Sequence, residues 1–117
     1  MARTVLIVDD HDGFRAGARA LLEADGFQVI GEAADGESAI AAARRLRPDV
    51  VLLDVQLPGI DGFTVAERLA AGAEPPAVVL ISSRGADAFR RRLATSPARG
   101  FIAKAELSGE CLGSLLT

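Results

Sequence analysis

The run Val50-Val51-Leu52-Leu53 ends in Asp54 and is followed by Leu57-Pro58-Gly59 and Asp61-Gly62. No other stretch limits the possible folds of this chain so strongly. Four consecutive apolar residues, two of them β-branched, are too few for most helices. They suit a strand buried on both faces, as in the middle of a parallel sheet. A carboxylate at the carboxyl end of such a strand, facing a Pro/Gly loop, sits where open α/β sheets hold their ligands. An Asp there can also simply end the strand or accept bonds from loop amides. Position alone leaves both roles open.

The rest of the chain repeats the pattern. Val5 to Val8 is a second buried-strand run and also ends in acid, at Asp9-Asp10. Asp12 is then a candidate N-cap for a helix with Phe14, Ala18, Leu21 and Leu22 on its inner face, closed by Asp25-Gly26. Phe27 to Ala33 is less apolar, as expected of an edge strand. Asp35-Gly36 opens a helix with Ala39, Ile40, Ala43 and Leu46 inward. Arg44, Arg45 and Arg47 crowd its last turn, where cations suit the helix dipole, and Pro48 stops it. Phe63, Val65, Ala66 and Leu69 mark a third helix, ended by Gly72 and Pro75-Pro76. Ala77 to Ile81 is a fourth strand, ending in Ser82-Ser83. A charged helix follows over 86–94 and contains Arg90-Arg91-Arg92. Gly100 to Ala103 is a short fifth strand ending in Lys104. A final helix is expected within 107–117, weakened by Gly109 and Gly113 at about 1 kcal/mol each.

Strand and helix thus alternate five times with no linker or repeat, which predicts an α/β fold: a five-stranded parallel sheet with helices on both faces. At 117 residues the chain is one domain with room for a real core. Half of the residues are hydrophobic and a quarter charged, which fits a soluble globular protein. No run approaches the roughly 18 apolar residues of a membrane span, and Met1 to Thr4 lead directly into a strand without signal-peptide architecture. The lone Cys111 excludes an internal disulfide, fits a reducing cytoplasm, and is expected as a small apolar side chain of the last helix. A net charge of −3 and a pI near 5.1 argue against nucleic-acid binding by this segment.

Four of the five strands end in a polar group: Asp9-Asp10, Asp54, Ser82 and Lys104. In a parallel sheet those ends share one edge. Three carboxylates gathered there repel one another and resist ionisation. A hard divalent cation relieves the conflict, and oxygen donors with room for water suit Mg²⁺. Lys104 adds a movable positive charge and Ser82 a hydroxyl. Together these groups suit a phosphoryl group held between metal and ammonium.

On these residues the chain resembles, over essentially its whole length, the receiver domain of two-component response regulators. Val8-Asp9-Asp10 is similar to the family's acidic pair after the first strand. Asp54 with Leu57-Pro58-Gly59 and Asp61-Gly62 is similar to its phosphoacceptor region. Ser82, Phe101 and Lys104 fall at the Ser/Thr switch, the aromatic switch and the lysine. The stretch from Gly100 to Lys104 looks nearest to receivers joined to helix-turn-helix DNA-binding domains. Three positions depart from common patterns: Ala105 where many receivers have proline, Phe101 in place of Tyr, and Arg84 at a variable position.

The resemblance implies a doubly wound, flavodoxin-like sheet of order 2-1-3-4-5, with residues 1–117 forming the receiver and no output domain among them. It implies that Asp54 accepts a phosphoryl group from a histidine kinase or phosphotransfer protein. Asp9, Asp10, Asp54 and the Gln56 carbonyl would hold Mg²⁺, and Lys104 would bind a phosphoryl oxygen. Ser82 and Phe101 would then change the surface of the fourth helix, fifth strand and fifth helix. The expected protein is a cytoplasmic signalling domain that regulates transcription. It would catalyse only its own phosphorylation and dephosphorylation, and would not bind membranes. Homodimers would form through the surface of the fourth helix, fifth strand and fifth helix or through the first and fifth helices. Gln56 and Arg84 would tune the phosphorylated lifetime. The Arg90 to Arg92 run is either a solvated helix face or a partner site. Two alternatives stand beside this reading. One is a pseudo-receiver that works without phosphorylation. The other is a haloacid-dehalogenase-type phosphatase, suggested by Asp10-His11-Asp12-Gly13, although His11 itself suits a solvent-side loop.

Overall fold

Alternate residues of a buried strand face opposite ways, and that alternation divides the hydrophobic core in two. In the computed structural model, residues 2–117 are described; Met1 of the expected strand lead-in lies outside them. Val5, Ile7, Val50, Leu52, Val79 and Ile81 face one side of the sheet, and Leu6, Val8, Val51, Leu53 and Leu80 face the other. The strands are β1 (Thr4–Val8), β2 (Gln28–Ala33), β3 (Val50–Asp54), β4 (Ala77–Ser82) and β5 (Gly100–Ala103). All pairs are parallel and the order is β2-β1-β3-β4-β5, as expected. All five residues of β3 are buried.

The helices are α1 (Asp12–Ala24), α2 (Gly36–Leu46), α3 (Gly62–Ala70), α4 (Arg90–Thr95) and α5 (Gly109–Leu116). Ala18 and Leu22 of α1 and Leu112 of α5 pack on the first face, while α2 and α3 cover the second. Asp35 and Asp61 cap α2 and α3 by accepting the backbone N–H of Ser38 and Thr64. Gly26 closes α1 at a φ of 96°, a left-handed conformation that favours glycine.

Several local expectations need correction. Asp12 is the first residue of α1, not its cap: His11 holds the cap position without a side-chain bond, and the Asp12 carboxylate is taken by Arg15. Leu21 sits on the flank of α1 and is exposed. The helix expected over 86–94 is a 3₁₀ turn (Ala86–Phe89) followed by the six-residue α4, and no residue of either is fully buried. With only Phe89 and Leu93 resting on the core, little packing is available to hold one continuous helix. The last helix starts at Gly109, capped by Ser108, because the chain first makes a 3₁₀ turn over Lys104–Glu106. Cys111 is exposed on it rather than packed. All peptide bonds among the described residues are trans, Lys104–Ala105 included.

Candidate functional site

Asp9 follows the last residue of β1, Asp54 is the last of β3, Ser82 the last of β4, and Lys104 follows the last of β5. Parallel pairing carries all four to one edge of the sheet. Asp9 and Ser82 are fully buried and Asp54 nearly so. Lys104 Nζ lies 2.6 Å from Asp9 Oδ2 and 3.3 Å from Asp54 Oδ2, and 4.6 Å from the centre of the Phe14 ring. The backbone N–H of Gln56 donates to Asp54 Oδ1 at 3.1 Å, which sets the Gln56 peptide beside the carboxylate.

The acidic loop is equally well defined. Asp9 Oδ1 accepts the His11 backbone N–H at 2.9 Å, and His11 Nδ1 lies 3.1 Å from that oxygen and 3.0 Å from Asp10 Oδ1. His11 is an exposed loop residue, as expected, but it touches both acids. Below Asp54 the chain turns through Gly59, whose φ of 76° favours glycine. It then returns so closely that a Cβ on Gly62 would lie 2.2 Å from the Asp54 carbonyl oxygen. Only glycine lets α3 begin against the end of β3.

Burial shapes the charges. It pushes the Asp54 carboxyl above the usual carboxylate range, and the Asp9 charge adds to the rise, although Gln56 N–H and Lys104 oppose it. Burial acts on Asp9 in the same sense. There the Lys104 ammonium and the His11 N–H outweigh it and hold Asp9 below its ordinary value. Lys104 is disfavoured as a cation by burial, yet its contacts with Asp9 and Asp54 raise it overall.

The donor set fits a hard divalent cation. One ligand atom from each of Asp9, Asp10, His11 and Asp54 can be chosen so that all lie within 4.8 Å of one another. Asp9 Oδ2 is buried, and its close partner is the Lys104 ammonium at 2.6 Å. Three carboxylates at one edge, two of them buried, carry more negative charge than the Lys104 ammonium neutralises, which suits a divalent cation. A separate cavity of about 640 Å³ opens at the opposite end of the sheet, among Arg47, Pro48 and Pro76, away from these groups.

Ser82 Oγ accepts the Arg84 backbone N–H at 3.0 Å. The Arg84 guanidinium lies 5.6 Å over the Phe89 ring. Phe89 stands between Phe63 and Phe101, at ring separations of 5.9 and 6.2 Å. Of the three consecutive arginines, Arg92 bonds Asp61 at 2.8 Å and lies 4.3 Å over Phe63, so one of the run is a contact to α3 rather than a solvated charge. Sequence reasoning missed this contact, and it missed Arg15, which binds the Asp9 carbonyl. The signal for Arg15 was its place one turn into α1, facing back toward the acidic loop.

Residues 5–113 match the family model described as the response regulator receiver domain. The chain is 43% identical over 101 residues to the response regulator GacA of Pseudomonas viridiflava, covering 86% of this chain and 47% of that protein. It is 39% identical over 106 residues to the transcription regulator BvgA of Bordetella pertussis, covering 91% and 51%. The chain thus spans about half the length of these curated relatives. Among solved structures, the receiver domain of the response regulator NarL from Mycobacterium tuberculosis superposes with a TM-score of 0.85. That pair is 34% identical, with 98% of this chain and 97% of that one covered.

Proposed function

The chain belongs to the response regulator receiver family, and from that premise we propose that it is the phosphoacceptor module of a transcription regulator. Asp54 would take the phosphoryl group of a phosphohistidine on a histidine kinase or phosphotransfer protein. The observation that carries this reading is Lys104, seated between the Asp9 and Asp54 carboxylates at one edge of the sheet. A carboxylate oxygen of Asp54 attacks phosphorus, an O–P bond forms, the P–N bond breaks, and its electron pair returns to the donor imidazole. Mg²⁺ held by Asp9, Asp10, Asp54 and the Gln56 carbonyl would neutralise charge on the transferring group.

The chain's own groups do the rest. Gln56 N–H holds one Asp54 oxygen in place while the other reacts. Lys104 shifts from Asp9 to a phosphoryl oxygen. Ser82 releases the Arg84 N–H and turns its hydroxyl to another. Phe101 moves into the space that Ser82 leaves, and Phe89 transmits the change to α4. The altered α4–β5–α5 surface, or the α1–α5 face, then serves homodimerisation. Residues 1–117 act as the receiver alone, and DNA would be bound by a separate output domain. In this reading the domain turns over no substrate beyond its own phosphorylation and dephosphorylation, and works in the cytoplasm.

Beryllofluoride, a phosphoryl mimic, tests this with Mg²⁺ present. Amide resonances of Ser82, Phe101 and α4 should shift together, and only with both ions. No shift would point instead to a module that works without phosphorylation.

A further inference from the structure

Asp9 is the most enclosed member of the acidic site, and its main chain is held from both sides. Its N–H donates to the carbonyl of Ala33 on β2 at 3.0 Å. Its carbonyl accepts Arg15 Nη1 at 2.5 Å. Arg15 is itself fixed: Nε donates to Glu32 Oε1 at 3.0 Å, Nη2 to Asp12 Oδ1, and its side chain is only 14% exposed. Glu32 is secured in turn by Arg19 Nε at 2.9 Å. Two neighbouring residues of β2 therefore hold the peptide groups on either side of the Asp9 Cα, Ala33 the preceding one directly and Glu32 the following one through the guanidinium.

The direction of the Asp9 carboxylate follows from those two peptide groups. Oδ1 is tied to His11, and Oδ2 faces the Lys104 ammonium at 2.6 Å. If Arg15 is removed, the buried Asp9 carbonyl loses its side-chain donor and the loop must move to find another.

We propose that Arg15 is a positioning residue: by binding the Asp9 carbonyl it sets the acidic loop for a divalent cation. This rests on the metal reading given above. The planar guanidinium serves three acceptors in different directions, Asp9, Asp12 and Glu32, which a single ammonium on a flexible stem does not reproduce. Supports of this kind around ligating carboxylates are worth 10- to 100-fold in metal affinity.

The experiment compares Arg15→Met, Arg15→Lys and Arg19→Met in the full chain. Arg19 binds the same Glu32 and makes no bond to Asp9, so its variant reports loss of the surrounding network alone. Mg²⁺ affinity is measured by calorimetry, and exchange of the Asp9 and His11 amides by NMR in metal-free protein. Both Arg15 variants should bind Mg²⁺ about tenfold more weakly and exchange those amides about tenfold faster. Arg19→Met should stay within about twofold of the parent on both. Unchanged affinity and exchange in Arg15→Met, or an equal loss in Arg19→Met, would overturn the proposal. If the parent protein binds no Mg²⁺, the metal reading fails, and the exchange rates still decide whether Arg15 holds the loop.

Discussion

Lys104 Nζ lies closer to Asp9 Oδ2, at 2.6 Å, than to Asp54 Oδ2, at 3.3 Å. The ammonium thus rests on a carboxylate assigned to the metal more than on the proposed nucleophile. On the proposed reading a divalent cation and Lys104 would compete for the same oxygen, since like charges raise each other's energy in a buried site. Removing the lysine should therefore help the metal and harm the phosphoryl transfer.

In Lys104→Met, Mg²⁺ should bind roughly tenfold more tightly, a gain of about 1.4 kcal/mol. Phosphorylation by acetyl phosphate should slow by about a hundredfold, because a donor aimed at the developing charge is gone. Calorimetry and phosphorylation rates on the same samples read the two effects. Weaker Mg²⁺ binding in the variant would mean that Lys104 supports the acidic loop rather than competing at it.

Asp61 caps α3 and pairs with Arg92 at 2.8 Å. Burial raises its carboxyl, but the Thr64 N–H and Arg92 outweigh that and hold it below its ordinary value. A depressed folded-state value stabilises the protein above the unfolded pKa, near 3.8, and the contribution disappears as pH falls through the folded value. Asp61→Asn keeps a capping side chain and loses the ion pair. Because Arg92 is half-exposed, its loss should cost about 0.5–1 kcal/mol at pH 7. Urea unfolding should show the gap to the parent closing in acid below pH 3.8. A gap that is constant with pH would show that the ion pair contributes nothing.

Gln56 and Arg84 each follow a strand-end residue by two positions, after Asp54 and Ser82. Water that hydrolyses an aspartyl phosphate must approach in line, opposite the Asp54 oxygen. In the structure the Arg84 side chain rests over Phe89. When phosphate is present, a charge-assisted contact is about twice as strong as a neutral one, which favours Arg84 turning to cover it. Arg84→Ala should shorten the phosphorylated lifetime several-fold, and Gln56→Ala should lengthen it slightly. Phosphate loss after removal of the donor measures both. A longer-lived Arg84→Ala would show that the guanidinium does not shield the site.

The sheet was legible because buried parallel strands write themselves as short apolar runs, and Val5–Val8, Val50–Leu53 and Ala77–Ile81 are such runs. The site was legible for the same reason: a polar residue where an apolar run ends must lie at the strand's carboxyl edge. Asp9, Asp54, Ser82 and Lys104 all satisfy that rule. The seating of Lys104 on Asp9 could not be read, since it depends on how a long side chain divides itself between two carboxylates that are 45 residues apart in sequence. The split of the fourth helix escaped because Phe89 and Leu93 are the stretch's two core contacts, too few to mark where an α-helix begins. Helix ends misled by one or two residues: at Asp12 because its carboxylate pairs with Arg15, and at Leu107 because a 3₁₀ turn precedes the helix. Arg15 received no role from the sequence and Arg92 stood in a run with two open roles; tertiary contacts with the Asp9 carbonyl and the Phe63 ring place them.

Asp54 as the phosphoacceptor is the central claim, and intact-mass measurement tests it most directly. The protein is incubated with acetyl phosphate and Mg²⁺, alongside Asp54→Asn. The parent should gain one phosphoryl group, mapped to Asp54 after borohydride trapping, and should gain none when the Mg²⁺ is chelated before the donor is added. Asp54→Asn should gain none. Equal phosphorylation of Asp54→Asn, or a trapped label on another residue, would contradict the account.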